Sequence, residues 1–95
     1  MNVTRIALPG AAAYCAGGES AVWNTDCPAG RAATEEFAAL FGVTAAETVR
    51  VPQKHTARVI AVTRENAGEG VTRPSPETAC DGMVTDATGL VLCTF

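Results

Sequence analysis

One segment of this 95-residue chain, from Pro28 to about Phe41, has the pattern of a helix of several turns. Asp26 can cap its N-terminus, Pro28 suits the first turn, and Gly42 can end it. The chain is therefore limited to a small fold built around one main helix. The apolar residues that recur at helical spacing, and that predict one buried stripe, are Ala33, Phe37, Leu40 and Phe41.

Most other apolar segments are short and rich in β-branched residues, which favours strands. Thr44 to Glu47 interrupts them with a capping-box pattern that predicts one short helical turn. Asp86 to Gly89 is a plausible hairpin turn between the last two strands. We therefore predict an α+β fold with a mixed β-sheet and one main helix. The predicted strands are 2–8, 49–51, 58–63, 82–85 and 90–95.

Two features of the chain bear on its completeness and on its loops. Leu90 to Phe95 is apolar to the last residue, so we expect residues 1–95 to be a single incomplete domain, the N-terminal part of a larger one. The polar segment from Arg64 to Ala79 is long for a loop in a compact domain, and such loops are often functional.

Composition excludes several classes of function. Hydrophobic residues make up 47% and charged residues 18% of the chain, as in a globular protein. The net charge is −3 and the basic residues form no cluster, which argues against nucleic acid and anionic membrane as partners. Pro9-Gly10 ends the first apolar run too early for a signal peptide. We expect a cytoplasmic protein with reduced cysteines.

His55 is the only histidine and the first candidate for chemistry. A lone histidine is usually a packed or hydrogen-bonded residue, but the neutral imidazole is also the commonest metal ligand. A metal site needs three or four donors, and the cysteines show neither Cys-x-x-Cys nor a zinc-finger spacing. The residues alone leave both interpretations of His55 open.

Cys80 and Cys93 are the next candidates. Each is most simply a small buried hydrophobic residue. Each could also act as a nucleophile beside His55 in a cysteine hydrolase, although no spacing in the sequence places a thiol next to that histidine. Asp81 has the simpler interpretation of a residue that caps or turns the chain into the following strand.

Taken in order, several segments resemble the laccase-domain family, whose members are known as polyphenol oxidases and as purine nucleoside phosphorylases. The family's Gln-x-His segment and the Val-rich strand after it correspond to Gln53 to Val59. Its Asp-initiated strand corresponds to Asp81 to Thr85, and its Gly-Leu hairpin corresponds to Gly89 to Phe95. The resemblance covers about half of the chain, from Val49 onward. Near the N-terminus, Cys15 stands where the family often has an arginine.

The resemblance implies a zinc site, with copper as the older assignment for the family. His55 corresponds to the first ligand, and the family's later cysteine and second histidine would follow Phe95. The implied activity of the full-length protein is phosphorolysis of purine nucleosides, and adenosine deamination with it. The implied partners are therefore a purine nucleoside and phosphate. The implied fold is the larger laccase-domain fold, which is similar to that of cytotoxic necrotizing factor. The chain alone is expected to be inactive.

A second hypothesis requires no chemistry. The chain could be a small binding or assembly domain that uses an exposed apolar strand edge, because unpaired edges are templates for pairing with another chain.

Overall fold

The computed structural model of the protein describes residues 2–17, 23, 25–51, 55–75 and 80–94. These residues contain one α-helix and six strands, together with two short 3₁₀ turns at Ala45–Glu47 and Arg64–Asn66. In chain order the elements are β1 (Asn2–Leu8), β2 (Ala11–Gly17), α1 (Pro28–Ala39), β3 (Thr48–Arg50), β4 (Val59–Ala61), β5 (Gly82–Val84) and β6 (Val91–Cys93).

The first two strands form an antiparallel hairpin. β1 ends where the sequence predicts, at the Pro9-Gly10 turn, and Leu8 pairs with Ala11 directly across it. The sequence analysis predicted β1 but not β2. Alanine and glycine contribute five of the seven residues of β2, and both have low strand propensity. The pairing with β1, rather than local preference, makes β2 a strand.

The helix begins at Pro28 as predicted and ends at Ala39, two residues before the predicted end. The N-cap residue is Cys27 and not the predicted Asp26, and the Cys27 side chain makes no capping hydrogen bond. The predicted buried stripe was also wrong, because Leu40 is exposed. The buried face consists of Gly30, Thr34 and Ala38. These are small residues, so α1 can approach its neighbours closely, while its larger apolar residues lie at the margin of the contact.

Two parallel pairs of strands follow. β3 pairs with β6, and β4 pairs with β5. The hairpin predicted around Asp86 to Gly89 was therefore wrong, because β5 and β6 belong to different pairs. The α+β class and the single main helix are confirmed. The described strands form three two-stranded sheets, one antiparallel and two parallel, instead of one mixed sheet. Sequence periodicity gives strand positions but not partners, which is why the pairing was missed.

The core is made of small and β-branched residues. Val49 is completely buried, and Thr48 beside it buries a hydroxyl that donates to the carbonyl oxygen of Ala45 at 2.6 Å. Within the described ranges, no helix combines the length and the apolar character needed to cross a membrane. The buried apolar residues are Ala38, Ala45, Val49, Val51, Val62, Cys80, Val91 and Cys93.

Four aromatic rings connect the hairpin to the helix. Tyr14 of β2 packs edge to face on Phe41, with ring centroids 5.0 Å apart. Phe41 contacts Phe37 at 5.6 Å, and Phe37 contacts Trp23 at 5.8 Å, both in T-shaped geometry. Such pairs contribute about 0.5–1.5 kcal/mol each beyond the area they bury. These contacts therefore attach β1 and β2 to the end of α1.

The first part of the long polar segment has a defined structure. Asn66 accepts the backbone N–H of Thr63 at 2.8 Å and donates to Glu69 at 3.1 Å. The Arg73 guanidinium donates to the backbone carbonyls of Ala67, at 3.0 Å, and Glu65, at 2.7 Å. The segment is therefore folded on itself through side-chain bonds to its own backbone. Residues 76–79, which complete the predicted loop, lie outside the described residues.

This folded segment docks on β3 through backbone bonds. The N–H of Gly68 donates to the carbonyl of Thr48 at 2.8 Å, and the N–H of Arg50 donates to Glu69 at 2.9 Å. Gly70 has a φ of +77°, and a Cβ atom there would overlap the carbonyl oxygen of Arg50. Only glycine fits at this position without displacing backbone.

We expect Gly70→Ala to lower the free energy of unfolding by about 2–5 kcal/mol, because it adds a backbone clash to the cost of a left-handed alanine. Gly42→Ala is the matched control: Gly42 also has a positive φ, of +74°, but a Cβ there meets nothing within 4 Å. Its cost should be about 1–2 kcal/mol. Urea unfolding of both variants measures the difference, and equal losses would contradict the docking of this segment on β3.

Candidate functional site

His55 lies in the connection between β3 and β4, with an exposed side chain and an unusual backbone. Its φ is +56°, and it is the one non-glycine residue with a positive φ in the described part of the chain. A left-handed conformation costs an ordinary L-residue about 1–2 kcal/mol. Strain of this kind persists only where surrounding contacts impose it, and it is common at functional sites.

In this conformation the backbone of His55 is bound by Asp81. One carboxylate oxygen, Oδ1, accepts the backbone N–H of His55 at 3.0 Å, and the other, Oδ2, accepts the backbone N–H of Thr56. From the sequence, Asp81 is expected to cap or turn the chain locally into the next strand. The structure shows that it caps a turn 26 residues earlier in the chain. No local pattern predicts so distant a contact, which is why sequence reasoning missed it.

Asp81 is itself held in place by the β4–β5 pair. Its backbone N–H donates to the carbonyl of Arg58 at 3.1 Å, and the next residue, Gly82, pairs with Val59. The N–H of Arg58 in turn donates to the hydroxyl of Thr56 at 3.2 Å. The carboxylate therefore projects from a rigid strand start onto the turn that contains His55.

A cleft of about 140 Å³ opens beside Asp81. Its walls are Val51, the start of β5 at 81–83, and the end of β6 at 92–94. Pockets that enclose a whole small-molecule ligand usually measure about 300–1,000 Å³. The described cleft is therefore too small to enclose a whole ligand of that size.

The described residues offer one histidine to a metal ion and no complete site. No three His, Cys, Asp or Glu side chains in the described ranges are placed to share a metal. His55 is exposed and fits the role of one nitrogen ligand. Gln53 and Lys54, the first residues of the motif that contains His55, lie outside the described residues.

The structure favours the structural interpretation of the two candidate cysteines. Cys80 is 0% exposed and Cys93 is 8% exposed. Burial raises the pKa of the Cys93 thiol to about 11, although the nearby positive charge of Arg50 lowers it. At neutral pH fewer than about one in a thousand Cys93 side chains is then a thiolate, the form that attacks a substrate. Cys93 is unsuited to nucleophilic catalysis.

We expect iodoacetamide at neutral pH to label the exposed Cys15 and to leave Cys93 unlabelled in the folded protein. Labelling of Cys93 should increase as the pH rises toward its pKa, because only the thiolate reacts. Mass spectrometry of tryptic peptides measures both sites. Cys15→Ser is the control that removes the fast reaction. Rapid labelling of Cys93 at neutral pH would restore the cysteine-hydrolase hypothesis.

Comparison of the chain with protein-family models, with curated proteins and with solved structures found no match.

Proposed function

We propose that this chain supplies His55 as one zinc ligand of a purine nucleoside phosphorylase of the laccase-domain family, acting in the cytoplasm. In this proposal residues 1–95 are the N-terminal part of the larger laccase-domain fold. The remaining ligands, a cysteine and a histidine, follow Phe95. The chain alone is inactive, because one imidazole does not hold zinc in a catalytic geometry.

One observation carries the proposal. Two of the segments on which the resemblance rests, one with His55 and the other beginning at Asp81, meet through the bonds from the Asp81 carboxylate. A site is usually assembled from residues of separate segments that meet in one place, as these two segments do. The cleft beside Asp81 adds a recess where part of a substrate can lie.

The residues of this chain would hold the metal and form the walls of the cleft. His55 would bind the metal through a ring nitrogen of its neutral imidazole. Zinc with three protein ligands and one open position lowers the pKa of bound water or polarises a substrate oxygen. The apolar walls of the cleft, Val51 and Leu92, would exclude water from the part of the purine nucleoside that enters it. The second substrate is phosphate, or water in adenosine deamination.

Copper, the older assignment for the family, is less suited to this chain. A multicopper centre needs several histidines, and residues 1–95 supply one of them, His55.

We expect the full-length protein, loaded with zinc, to convert inosine and phosphate in a coupled phosphorolysis assay. His55→Ala should lower kcat/KM and zinc affinity, each by more than about 100-fold, since loss of a ligand is more severe than loss of an outer-shell contact. Glu36→Gln, on the exposed face of α1, is the matched surface control and should change neither. No turnover of inosine or adenosine by the zinc-loaded wild type would refute the proposal.

A specific observation also supports the second hypothesis, that of an assembly domain. In the strand predicted at 90–95, Val91 and Cys93 of β6 are buried, so these two side chains offer no exposed apolar surface. The exposed strand is β1 instead: all of its residues are exposed, with Ile6 at 45% and Leu8 at 53%. Its one partner among the described strands is β2.

If β1 pairs with a second copy, sedimentation equilibrium should show association that increases with protein concentration. Ile6→Lys should abolish it, because a charge on an apolar strand face opposes burial. Val84→Lys, at a similarly exposed valine of β5, is the control and should associate like the wild type. A wild-type protein that stays monomeric at all concentrations would exclude self-assembly through β1.

A further inference from the structure

We propose that Asp81 is a positioning residue for His55. Its carboxylate holds the His55 backbone in the left-handed conformation in which the imidazole is presented to the metal. The inference rests on the proposed function, since it assigns to Asp81 a part in the same site.

The geometry of the contact is specific to a carboxylate. The two oxygens of one side chain accept two successive backbone N–H groups, those of His55 and Thr56. Hydrogen bonds to an ionised acceptor are roughly twice as strong as neutral ones. An asparagine in the same place has one acceptor oxygen and a nitrogen that donates, so it can accept one of the two N–H groups and repels the other.

The direction of the His55 side chain depends on this contact through the backbone. Asp81 binds the backbone amide of His55 and not its ring, so it acts on the conformation of the residue. A change from φ of +56° to the usual negative values would rotate the Cβ atom to another side of the chain. The imidazole would then project from the backbone in a different direction. A metal ligand must be held within about 0.5 Å of its productive position, so such a change is costly to binding.

Asp81 can perform this function because its own position does not depend on His55. It is fixed by the N–H bond to the Arg58 carbonyl and by the pairing of β5 with β4. The N–H of Val62 donates to the carbonyl of Val84 at 2.9 Å and continues the same pairing. The position of the Asp81 carboxylate is thus set by β4 and β5, and the carboxylate in turn orders the turn that contains His55.

Three variants of the full-length protein test the inference. Asp81→Asn preserves the volume and keeps one acceptor oxygen, and Asp81→Ala removes both. Asp86→Asn makes the same chemical change at an exposed aspartate between β5 and β6 and is the matched control. If Asp81→Ala does not fold, Asp81→Asn decides the question, because it keeps the side-chain volume and one acceptor oxygen.

The first measurement does not depend on metal. Amide hydrogen exchange followed by NMR in the zinc-free protein should show faster exchange of the His55 and Thr56 N–H groups by about tenfold or more in Asp81→Asn. The N–H of Val62 should exchange at the wild-type rate, because its bond to Val84 is unchanged. A structural role in global stability alone would instead accelerate all of these amides together.

The second measurement is zinc affinity, by competition with a chelator of known affinity. Asp81→Asn should bind zinc about 10–100-fold more weakly than wild type, the usual effect of losing an outer-shell support, and Asp86→Asn should bind like wild type. Unchanged exchange at His55 and Thr56, or unchanged zinc affinity, overturns the role of Asp81. A wild-type protein that binds no zinc overturns the proposed function instead. The exchange data distinguish the two failures, because they report on the turn without metal.

Discussion

The carboxylate of Asp81, bonded to the backbone N–H groups of His55 and Thr56, is the contact on which the candidate site depends. It joins the connection after β3 to the start of β5, two parts of the chain that share no sheet. It also offsets the strain of a histidine with a φ of +56°. Without it, the histidine and the cleft beside β5 would be neighbours with no fixed relation.

The fold around the site is held together by backbone hydrogen bonds more than by a large apolar core. β3 is bonded to β6 on the one hand and to the folded segment at Gly68 and Glu69 on the other. The core around it is small, with Val49 and Cys80 fully buried, so backbone bonds and close glycine contacts carry much of the order. Parallel strands with distant partners form late, because loop closure must precede their pairing. Gly70 packs against the carbonyl of Arg50 in β3, so loss of this contact affects the strand that precedes the site.

The functional hypotheses differ in what supports them. The phosphorylase proposal rests on the resemblance of several segments to the laccase-domain family and on the contact between two of those segments. The assembly proposal rests on the exposed β1, and the two are compatible because β1 and His55 belong to separate parts of the described structure. The cysteine hydrolase has the least support. The Cys93 thiol is buried and its pKa is raised to about 11, which keeps it protonated at neutral pH.

The sequence by itself determined the features that local chemistry controls. Pro28 and Gly42 predicted the helix to within two residues of its end, and five of the six described strands were found because β-branched runs have local signatures; the alanine-rich β2 was not. The tertiary structure decided what depends on distant partners: the parallel pairing that replaced the predicted hairpin, and the capping of His55 by Asp81. It also decided that Gly30, Thr34 and Ala38 are buried instead of the predicted stripe of Ala33, Phe37, Leu40 and Phe41. Periodicity shows which residues can be buried or paired. Only the folded chain brings a carboxylate to a backbone amide 26 residues away.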